Sequence, residues 1–302
     1  MIMQRMLAPL SPFLETQYDV YRFWEGPPPE VAAKIRALVV IGEYPLDKDL
    51  IEKLPNLSMI ACFTAGYDGV DVEWCRAKGL ALSHTPNVNN EDVADLALGL
   101  ILNQRRQITS GQQRLLAGDW NEDHRVITGS VQNQSIGIVG LGAIGQAIAR
   151  RAQAFNMAVH WWGPRDKASP WPRATTLLDL ARQTDILVVA CRATVENRNL
   201  IDAEIMDAIG PHGMLVNVAR GSLVDEDALI QKLHSGALGG AALDVFETEP
   251  TDPAKWRDVP NVVLTPHTGG ATTHAVQGMM MNVLQNLGAH FEGKDLLTPI
   301  KD

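Results

Sequence analysis

Three polar residues in the C-terminal half of the chain each stand after an apolar run. Arg220 ends the run GMLVNVAR, Glu249 follows GGAALDVFET, and His267 ends NVVLTPH. Ligands bind at the carboxyl ends of the strands in open parallel sheets, so these positions predict that the three side chains meet at one edge of a sheet. One such residue alone is better explained by local structure, but three in this order favour a shared site.

Together, these residue types can reduce a carbonyl group. A guanidinium holds a carboxylate or polarises a ketone oxygen through planar donors. A histidine can give a proton to the carbonyl oxygen while hydride arrives at the carbon, and a neighbouring carboxylate favours its imidazolium form. Arg220, Glu249 and His267 are therefore predicted to be catalytic. The sequence has no nucleophile elbow and no HExxH, and no metal ligands are predicted.

The segment SIGIVGLGAIGQAIARRAQAF predicts the loop that binds the phosphates of a nucleotide. Gly140, Gly142 and Gly145 have the GxGxxG spacing, an apolar run precedes them, and a helical pattern follows. Gly140 permits a tight turn, Gly142 lets the backbone approach a pyrophosphate, and Gly145 lets the helix pack closely on the strand. The pyrophosphate is then expected at the N-terminus of the helix.

The segment VHWWGPRDK lacks the acidic residue expected about 20 residues beyond such a loop. Gly163, Pro164 and Arg165 stand there instead. An acid would accept hydrogen bonds from the ribose hydroxyls of NAD and repel the 2′-phosphate of NADP, whereas Arg165 and Lys167 offer cations to that phosphate. The sequence therefore predicts that NADP(H) is preferred over NAD(H). In the alternative, Asp166 takes the place of the acid and Arg165 is a solvated turn residue.

The composition and the spacing of apolar runs predict two α/β domains. The chain has 302 residues, of which 46% are hydrophobic and 20% charged. Short β-like runs alternate with helical patterns, which indicates βαβ units and doubly wound parallel sheets in both domains. The predicted strands are RMLAPL, YRFW, RALVVIG, SMIACF, LALSH, SIGIVG, MAVHWW, DILVVA, GMLVNVA, GGAALDV and NVVLTP.

Two helical patterns predict how the domains are connected. NNEDVADLALGLILNQRRQITSGQQRLLAG is expected to form one long helix that leads into the second domain. NVLQNLGAHFEGKDLLTP is expected to form a helix that returns to the first. The resulting prediction is an NADP-binding Rossmann domain, residues 98–284, inserted into a flavodoxin-like substrate-binding domain, residues 1–97 and 285–302.

Charge and cysteine usage narrow the class of protein. A formal net charge of -9 disfavours nucleic acid and anionic membranes as partners. Cys62, Cys75 and Cys191 are odd in number and form no CxxC pair, which favours buried thiols in a reducing compartment. No stretch is typical of a signal peptide or a membrane span, so a cytoplasmic protein with a small-molecule substrate is expected.

Four motifs, GLGAIGQ, VNVARGSLVDEDAL, GGAALDVFETEP and VVLTPHTGGAT, resemble those of the D-isomer-specific 2-hydroxyacid dehydrogenases. YDVYRFWEGPPPE, ADLALGLIL, DILVVAC and LLTP look closest to the hydroxyphenylpyruvate, hydroxypyruvate and glyoxylate reductase branch, which commonly prefers NADPH. The resemblance implies that the amides of Ala65 and Gly66 bind the substrate carboxylate and that Asp244 contacts the nicotinamide amide. It also implies a homodimer formed through the cofactor domain.

The resemblance also implies further cofactor contacts. They are expected at Ala143, Ile144, Cys191, Arg192, Val218, Ala219, Gly269 and Gly270. Arg192 is a departure, since the branch usually has a proline there. Family members with glutamine in place of Glu249 need no proton from the histidine, so Glu249 argues for keto-acid reduction. Trp120 is interpreted as a packed core residue, with a contact to the active site as the alternative.

Two functions follow from these features. The first is an NADPH-dependent reductase that converts 2-keto acids such as glyoxylate, hydroxypyruvate or hydroxyphenylpyruvate to D-2-hydroxy acids, in a cleft that closes between the domains. The second is a non-enzymatic NAD(P)-sensing protein of the same fold that recruits partners. Turnover of a keto acid distinguishes them.

Overall fold

A computed structural model describes residues 1–121 and 126–301. Within them the strands are β1 (Ala37–Val40), β2 (Met59–Cys62), β3 (Ala81–Ser83), β4 (Ser135–Val139), β5 (Ala158–Trp162), β6 (Ile186–Val189), β7 (Met214–Asn217), β8 (Gly240–Leu243) and β9 (Val262–Leu264). The α-helices are α1 (Ser11–Leu14), α2 (Lys48–Glu52), α3 (Val72–Ala77), α4 (Asn90–Arg106), α5 (Ile108–Leu116), α6 (Ala143–Ala154), α7 (Leu177–Arg182), α8 (Ala203–Ile209), α9 (Glu226–Ser235), α10 (Pro253–Trp256) and α11 (Thr273–Phe291). Short 3-10 helices cover Arg5–Leu10, Phe23–Glu25, Pro29–Lys34, Val195–Asn197 and Gly221–Leu223.

The chain forms two compact units. One comprises Met1–Asn89 with Thr272–Asp302, and the other comprises Asn90–Ala271. We call them the outer-segment unit and the central unit. Both contain parallel sheets with helices, so the predicted α/β class is confirmed.

The outer-segment unit has a parallel sheet in the order β1-β2-β3, which single bridges extend. Ile2 bridges Val39 of β1 on one side and Arg22 on the other, both in parallel. The five extended segments therefore follow the order 2-1-3-4-5, which is typical of flavodoxin-like sheets.

The prediction of a strand at RMLAPL is wrong, because Arg5–Leu10 is a 3-10 helix. Leu7 and Leu10 are its buried residues. Residues three apart eclipse one another in a 3-10 helix, so this spacing buries both on one side. Pro9 has no N–H to donate to a sheet ladder, which also disfavours a strand.

The central unit has a six-stranded parallel sheet in the order β5-β4-β6-β7-β8-β9. The chain runs from β4 outward to β5 and then returns past β4 to β6. This reversal between β4 and β6 is the switch point beside which ligands bind in doubly wound sheets. All four residues of β6 and of β7 are buried, as expected of strands covered on both faces.

The units divide at other residues than the sequence predicts. The expected boundaries after residues 97 and 284 lie inside α4 and α11, whereas the observed ones precede both helices. The reason is packing: Val93, Ala97 and Ile101 of α4 belong to the core of β4 and α6. The helix α11 contributes Ala275 and Met279 to the core around β1 and β2.

The predicted single long helix into the central unit is also wrong. It divides into α4 and α5 at Gln107, which has a φ of 51°. A non-glycine residue in the left-handed region ends a helix, because the next turn cannot continue the i to i−4 ladder.

No helix in the described ranges is long and apolar enough to cross a membrane. Among these same residues, no group of three or more His, Cys, Asp and Glu side chains could hold a metal ion.

Candidate active and cofactor-binding site

The glycine loop joins β4 to α6 and lies against the ends of two neighbouring strands. Gly140 has a φ of 94°, and its N–H donates to the carbonyl of Trp162 at 2.8 Å. A Cβ on Gly140 would lie 2.6 Å from both Cα and Cβ of Cys191. Gly140 is therefore required both by its backbone conformation and by the close approach of the segment after β6.

The other two glycines have different surroundings. A Cβ on Gly145 would lie 2.1 Å from the Gly140 carbonyl oxygen, so this glycine lets α6 pack onto the loop. A Cβ on Gly142 would meet no atom within 4 Å. Gly142 is the N-cap of the 12-residue α6 and gives it no side-chain cap. Open space beside the uncapped N-terminus of a helix fits a pyrophosphate.

The end of β5 carries the predicted cations. Lys167 Nζ donates to the carbonyl of Leu141 at 2.9 Å, which brings its charge to the glycine loop. Arg165 is exposed and has no hydrogen bond or ion pair with the residues that the structure describes. Asp166 accepts from the Lys167 N–H at 2.9 Å, so its carboxylate is turned to the local backbone.

Arg173 lies at the same strand end, and the sequence does not predict it. Its guanidinium donates to the carbonyl of Gly163 at 2.7 Å and lies 5.7 Å from the ring centroid of Trp161. Trp161 and Arg173 form a parallel bridge, so the segment around Arg173 lies beside β5 and runs in the same direction. Only its positive charge, ten positions beyond Gly163, could have drawn attention to it.

The structure brings Glu249 and His267 together. His267 Nδ1 lies 2.6 Å from Glu249 Oε2, and the other oxygen of Glu249 accepts from the Phe246 N–H at 2.9 Å. Partial burial alone would raise the pKa of Glu249. The hydrogen bonds from His267 and Phe246 outweigh this effect and hold the pKa below its usual value, with the charges of His267 and Arg220 adding to it.

Arg220 occupies the turn that follows β7, next to the turn that leads to Glu249. A Cβ on Gly221 would lie 1.8 Å from the carbonyl carbon of Phe246, so the two turns pack backbone against backbone. Asn217 is fully buried and donates to the carbonyl of Arg220 at 2.8 Å. The predicted catalytic residues therefore come from three adjacent strand ends, those of β7, β8 and β9.

Asp244 organises the turn on which His267 lies. It is 2% exposed, and one carboxylate oxygen accepts from Thr265 Oγ1 at 2.6 Å and from the Thr268 N–H at 2.8 Å. Its other oxygen accepts from the Gly269 N–H at 2.8 Å. His267 has a φ of 52°, and its N–H donates to the carbonyl of Asp244 at 2.8 Å. Asp244 thus fixes the strained backbone of the histidine.

The other predicted cofactor residues lie along the same edge. Ala143 and Ile144 begin α6, and Gly269 and Gly270 follow β9. Val218 and Ala219 follow β7. Burial raises the pKa of Cys191 to about 11, so its thiol is neutral. The carbonyl of Arg192 accepts from Asn197 Nδ2 at 2.8 Å, which closes the turn after β6.

Ala65 and Gly66 lie in the turn after β2 of the outer-segment unit. Both are half-buried, and none of residues 1–121 and 126–301 accepts a hydrogen bond from either N–H. A Cβ on Gly42 would lie 2.4 Å from the Gly66 carbonyl oxygen, so this turn packs tightly on the turn after β1. Two neighbouring amides with free hydrogens can hold an anion.

Trp120 does not belong to a core. It is 72% exposed, so the interpretation as a packed tryptophan is wrong. Other exposed apolar side chains are Ile108, Leu115 and Leu116 of α5, and Val126 and Ile127.

The fold and this site define a nucleotide-dependent dehydrogenase, and comparisons with known proteins give its family. The NAD-binding domain of the D-isomer specific 2-hydroxyacid dehydrogenases matches residues 98–269. The chain belongs to this family and is a 2-hydroxyacid dehydrogenase.

Two relatives match nearly full length. A glyoxylate/hydroxypyruvate reductase A of Arabidopsis thaliana is 41% identical, and a hydroxyphenylpyruvate reductase of Plectranthus scutellarioides is 40% identical. Each match covers 98% of this chain and 97% of the relative. The crystal structure of an NADPH-dependent glyoxylate/hydroxypyruvate reductase of Sinorhizobium meliloti with NADP and malonate has a TM-score of 0.91 and 33% identity, over 99% of this chain and 96% of the other. These findings confirm the predicted family and support reduction of a 2-keto acid with a nicotinamide cofactor.

Proposed function

We propose that this protein reduces a 2-keto acid of the glyoxylate, hydroxypyruvate or hydroxyphenylpyruvate type to the D-2-hydroxy acid with NADPH. The observation that carries the proposal is the 2.6 Å contact between His267 Nδ1 and Glu249, one strand end from Arg220. The bound cofactor supplies hydride to the carbonyl carbon.

The residues have separate roles in this reaction. Arg220 binds the substrate through its planar donors and polarises the carbonyl oxygen. Glu249 engages Nδ1 of His267, so Nε2 is the nitrogen that gives a proton to that oxygen. The ionised Glu249 favours the imidazolium that must donate, and it holds the plane of the ring. Asp244 keeps the backbone of His267 in place, and it would accept a hydrogen bond from the carboxamide of a bound nicotinamide.

Binding of the cofactor depends on the glycine loop and the end of β5. The open space at Gly142 fits the pyrophosphate, and the exposed Arg165 is available for the 2′-phosphate. Lys167 adds a second cation beside the loop. An ionised donor contributes about 1.5–3 kcal/mol per hydrogen bond, so these two residues favour NADP(H) over NAD(H) by roughly tenfold or more.

The substrate class is supported by the relatives and by Glu249. The relatives are named for glyoxylate, hydroxypyruvate and hydroxyphenylpyruvate. All three have a carboxylate beside the ketone or aldehyde, and the amides of Ala65 and Gly66 suit such an anion.

The test is a panel of keto acids with purified protein and NADPH. The proposal expects oxidation of NADPH with at least one of glyoxylate, hydroxypyruvate and hydroxyphenylpyruvate, and chiral analysis of a product should give the D isomer. Oxidation with none of them would reject the reductase and favour the sensor. Pyruvate amide serves as a control, because it keeps the ketone and lacks the carboxylate.

We also propose a homodimer formed through the central unit. Contact of exposed apolar side chains with water is unfavourable, and patches of them mark interfaces. The side chains concerned are Ile108, Leu115, Leu116, Trp120, Val126 and Ile127. The occupant is a second copy of the same surface, because a two-fold dimer pairs one patch with itself.

A further inference from the structure

His84 lies beside the turn that holds Ala65 and Gly66 and has no place in the mechanism above. It follows β3, and its Nδ1 lies 2.9 Å from the carbonyl oxygen of Ala65. A carbonyl oxygen only accepts, so Nδ1 must carry the hydrogen and donate it.

This bond is one of several that occupy the carbonyl oxygens of the turn. The Thr85 N–H donates to the carbonyl of Thr64 at 3.2 Å, and the Thr64 hydroxyl donates to that of Gly66 at 2.9 Å. With His84 on Ala65, three consecutive carbonyls are each held by a donor from the protein. The N–H groups of Ala65 and Gly66, by contrast, have no acceptor within the described parts of the chain.

The geometry of the peptide bond connects these two observations. The carbonyl of Ala65 and the N–H of Gly66 belong to one planar trans unit, so they point in opposite directions. A donor fixed on the Ala65 oxygen therefore fixes the direction of the Gly66 hydrogen. In the same way, the Thr85 N–H on Thr64 fixes the hydrogen of Ala65.

His84 is itself held firmly. Its N–H donates to the carbonyl of Thr298 at 3.2 Å, and Thr298 Oγ1 lies 2.6 Å from the His84 carbonyl oxygen. Asn286 of α11 is fully buried and contacts Thr298 Oγ1 at 2.8 Å. The ring of His84 also meets Tyr67 edge to face, with centroids 5.1 Å apart. These contacts leave the imidazole little freedom to turn away from Ala65.

We propose that His84 is a positioning residue for the carboxylate of the substrate. Its Nδ1–H sets the direction of the Gly66 N–H through the peptide plane they share with Ala65, so that the amide is already aimed when the anion arrives. The inference rests on the proposed function, in which these amides bind the carboxylate of a 2-keto acid. Preorganised donors are stronger than mobile ones, because no ordering has to accompany binding.

The test compares two variants of the full-length protein. His84→Phe keeps an aromatic ring against Tyr67 and removes the donor. His84→Asn keeps an N–H at about the position of Nδ1. For His84→Phe we expect KM for the keto acid to rise about tenfold, the factor of a charge-assisted hydrogen bond, with kcat and KM for NADPH within about twofold. His84→Asn should restore KM to within about threefold of wild type.

His290→Phe is the matched control. His290 lies in the same unit and contacts Ser58 Oγ at 2.8 Å, so this change also removes one histidine hydrogen bond. It should leave KM for the keto acid unchanged. An unchanged KM for the keto acid in His84→Phe, or an equal rise of this KM in His84→Asn, would overturn the inference. His84 would then only pack against its neighbours.

A measurement on the wild type keeps the inference testable if His84→Phe fails to fold. The ¹⁵N shifts of the imidazole at about pH 8 distinguish a ring with its hydrogen on Nδ1 from one with it on Nε2. Hydrogen on Nδ1 supports the inference, and hydrogen on Nε2 alone overturns it. Failure of the proposed function is a different outcome, since the wild type would then reduce no 2-keto acid at all.

Discussion

Gly145 lies so close to Gly140 that a Cβ on the former would come within 2.1 Å of the carbonyl oxygen of the latter. A Cβ on Gly142, which lies between them in the sequence, would have no atom within 4 Å. The three glycines of one motif therefore serve different purposes. Gly140 and Gly145 are needed by the fold, whereas Gly142 has a purpose only in the proposed binding of a cofactor whose phosphates come close to the backbone.

Substitution of the glycines should separate stability from binding. Gly145→Ala overpacks a backbone contact, which costs about 1–3 kcal/mol or more, and Tm should fall by several degrees. Gly142 has a φ of -73° and open space where a Cβ would lie. Gly142→Ala should therefore leave Tm unchanged while Kd for NADPH rises about tenfold or more. Calorimetry and fluorescence titration measure the two quantities. A Gly142→Ala protein that binds NADPH like the wild type would exclude the phosphates from this place.

Glu249 should control the pH range in which the enzyme reduces its substrate. Its pKa is depressed, so the carboxylate stays ionised beside His267 as the pH falls through the usual range for Glu, and activity should persist in weak acid. Glu249→Gln removes the charge that favours imidazolium, so the alkaline fall of kcat/KM should move to lower pH by roughly one unit or more.

Glu247→Gln is the control for that shift. Glu247 lies two positions away and pairs with Arg198, not with His267. Its profile of kcat/KM against pH should coincide with that of the wild type. If both variants shift alike, the general charge of the loop is responsible and the specific contact is not.

His267 and Arg220 should differ in which kinetic constant they affect. His267→Asn loses the proton donor, so kcat should fall by about 10²–10⁴ with little change in KM. Arg220→Ala loses binding and polarisation together, so KM should rise while kcat falls. His234→Asn, at the exposed end of α9, is a control with no expected effect. A kcat/KM equal to that of the wild type in either variant would remove that residue from the mechanism.

Much of this site could be predicted because the end of an apolar run in the sequence marks the end of a strand. Apolar runs place Arg220, Glu249 and His267 at the carboxyl edge of a parallel sheet, and the sheet order brings β7, β8 and β9 side by side. The glycine spacing likewise fixed the course of the loop into α6. In both cases the information is local, since one run and the residue after it are enough.

The contacts that the sequence did not predict come from segments folded back on the site. Arg173 contacts Gly163 because its segment lies beside β5 and runs parallel to it, and no periodicity in the sequence indicates that arrangement. His84 meets Ala65 because β3 lies beside β2, and a lone histidine after a strand has many ordinary explanations. Gln107 breaks the long helix through a backbone conformation that glutamine rarely adopts, so its residue type gives no signal.

The apolar surface of α5 should hold two copies of the chain together. Leu116 is 75% exposed on this helix, and Leu116→Glu would place a charge in the interface. We expect light scattering after gel filtration to show a dimer for the wild type and a monomer for the variant. Leu297→Glu changes an equally apolar residue, 56% exposed, in the other unit and should remain dimeric. A monomeric wild type would reject the dimer.

Arg165 should decide which nicotinamide cofactor the enzyme prefers. It is exposed at the end of β5, and no described residue neutralises it. Arg165→Ala should therefore lower kcat/KM with NADPH about ten- to hundredfold and leave the value with NADH nearly unchanged, because only NADPH has a 2′-phosphate to pair with. Lys167→Ala should have a similar selective effect and also release the contact with Leu141. Arg182→Ala is the matched control. Arg182 ends α7 just before β6 begins, so it lies at the amino ends of the strands, opposite the carboxyl ends where Arg165 lies. Preference of the wild type for NADH, or an equal loss of kcat/KM with both cofactors in Arg165→Ala, would contradict this prediction. Asp166 or another group would then bind the ribose instead.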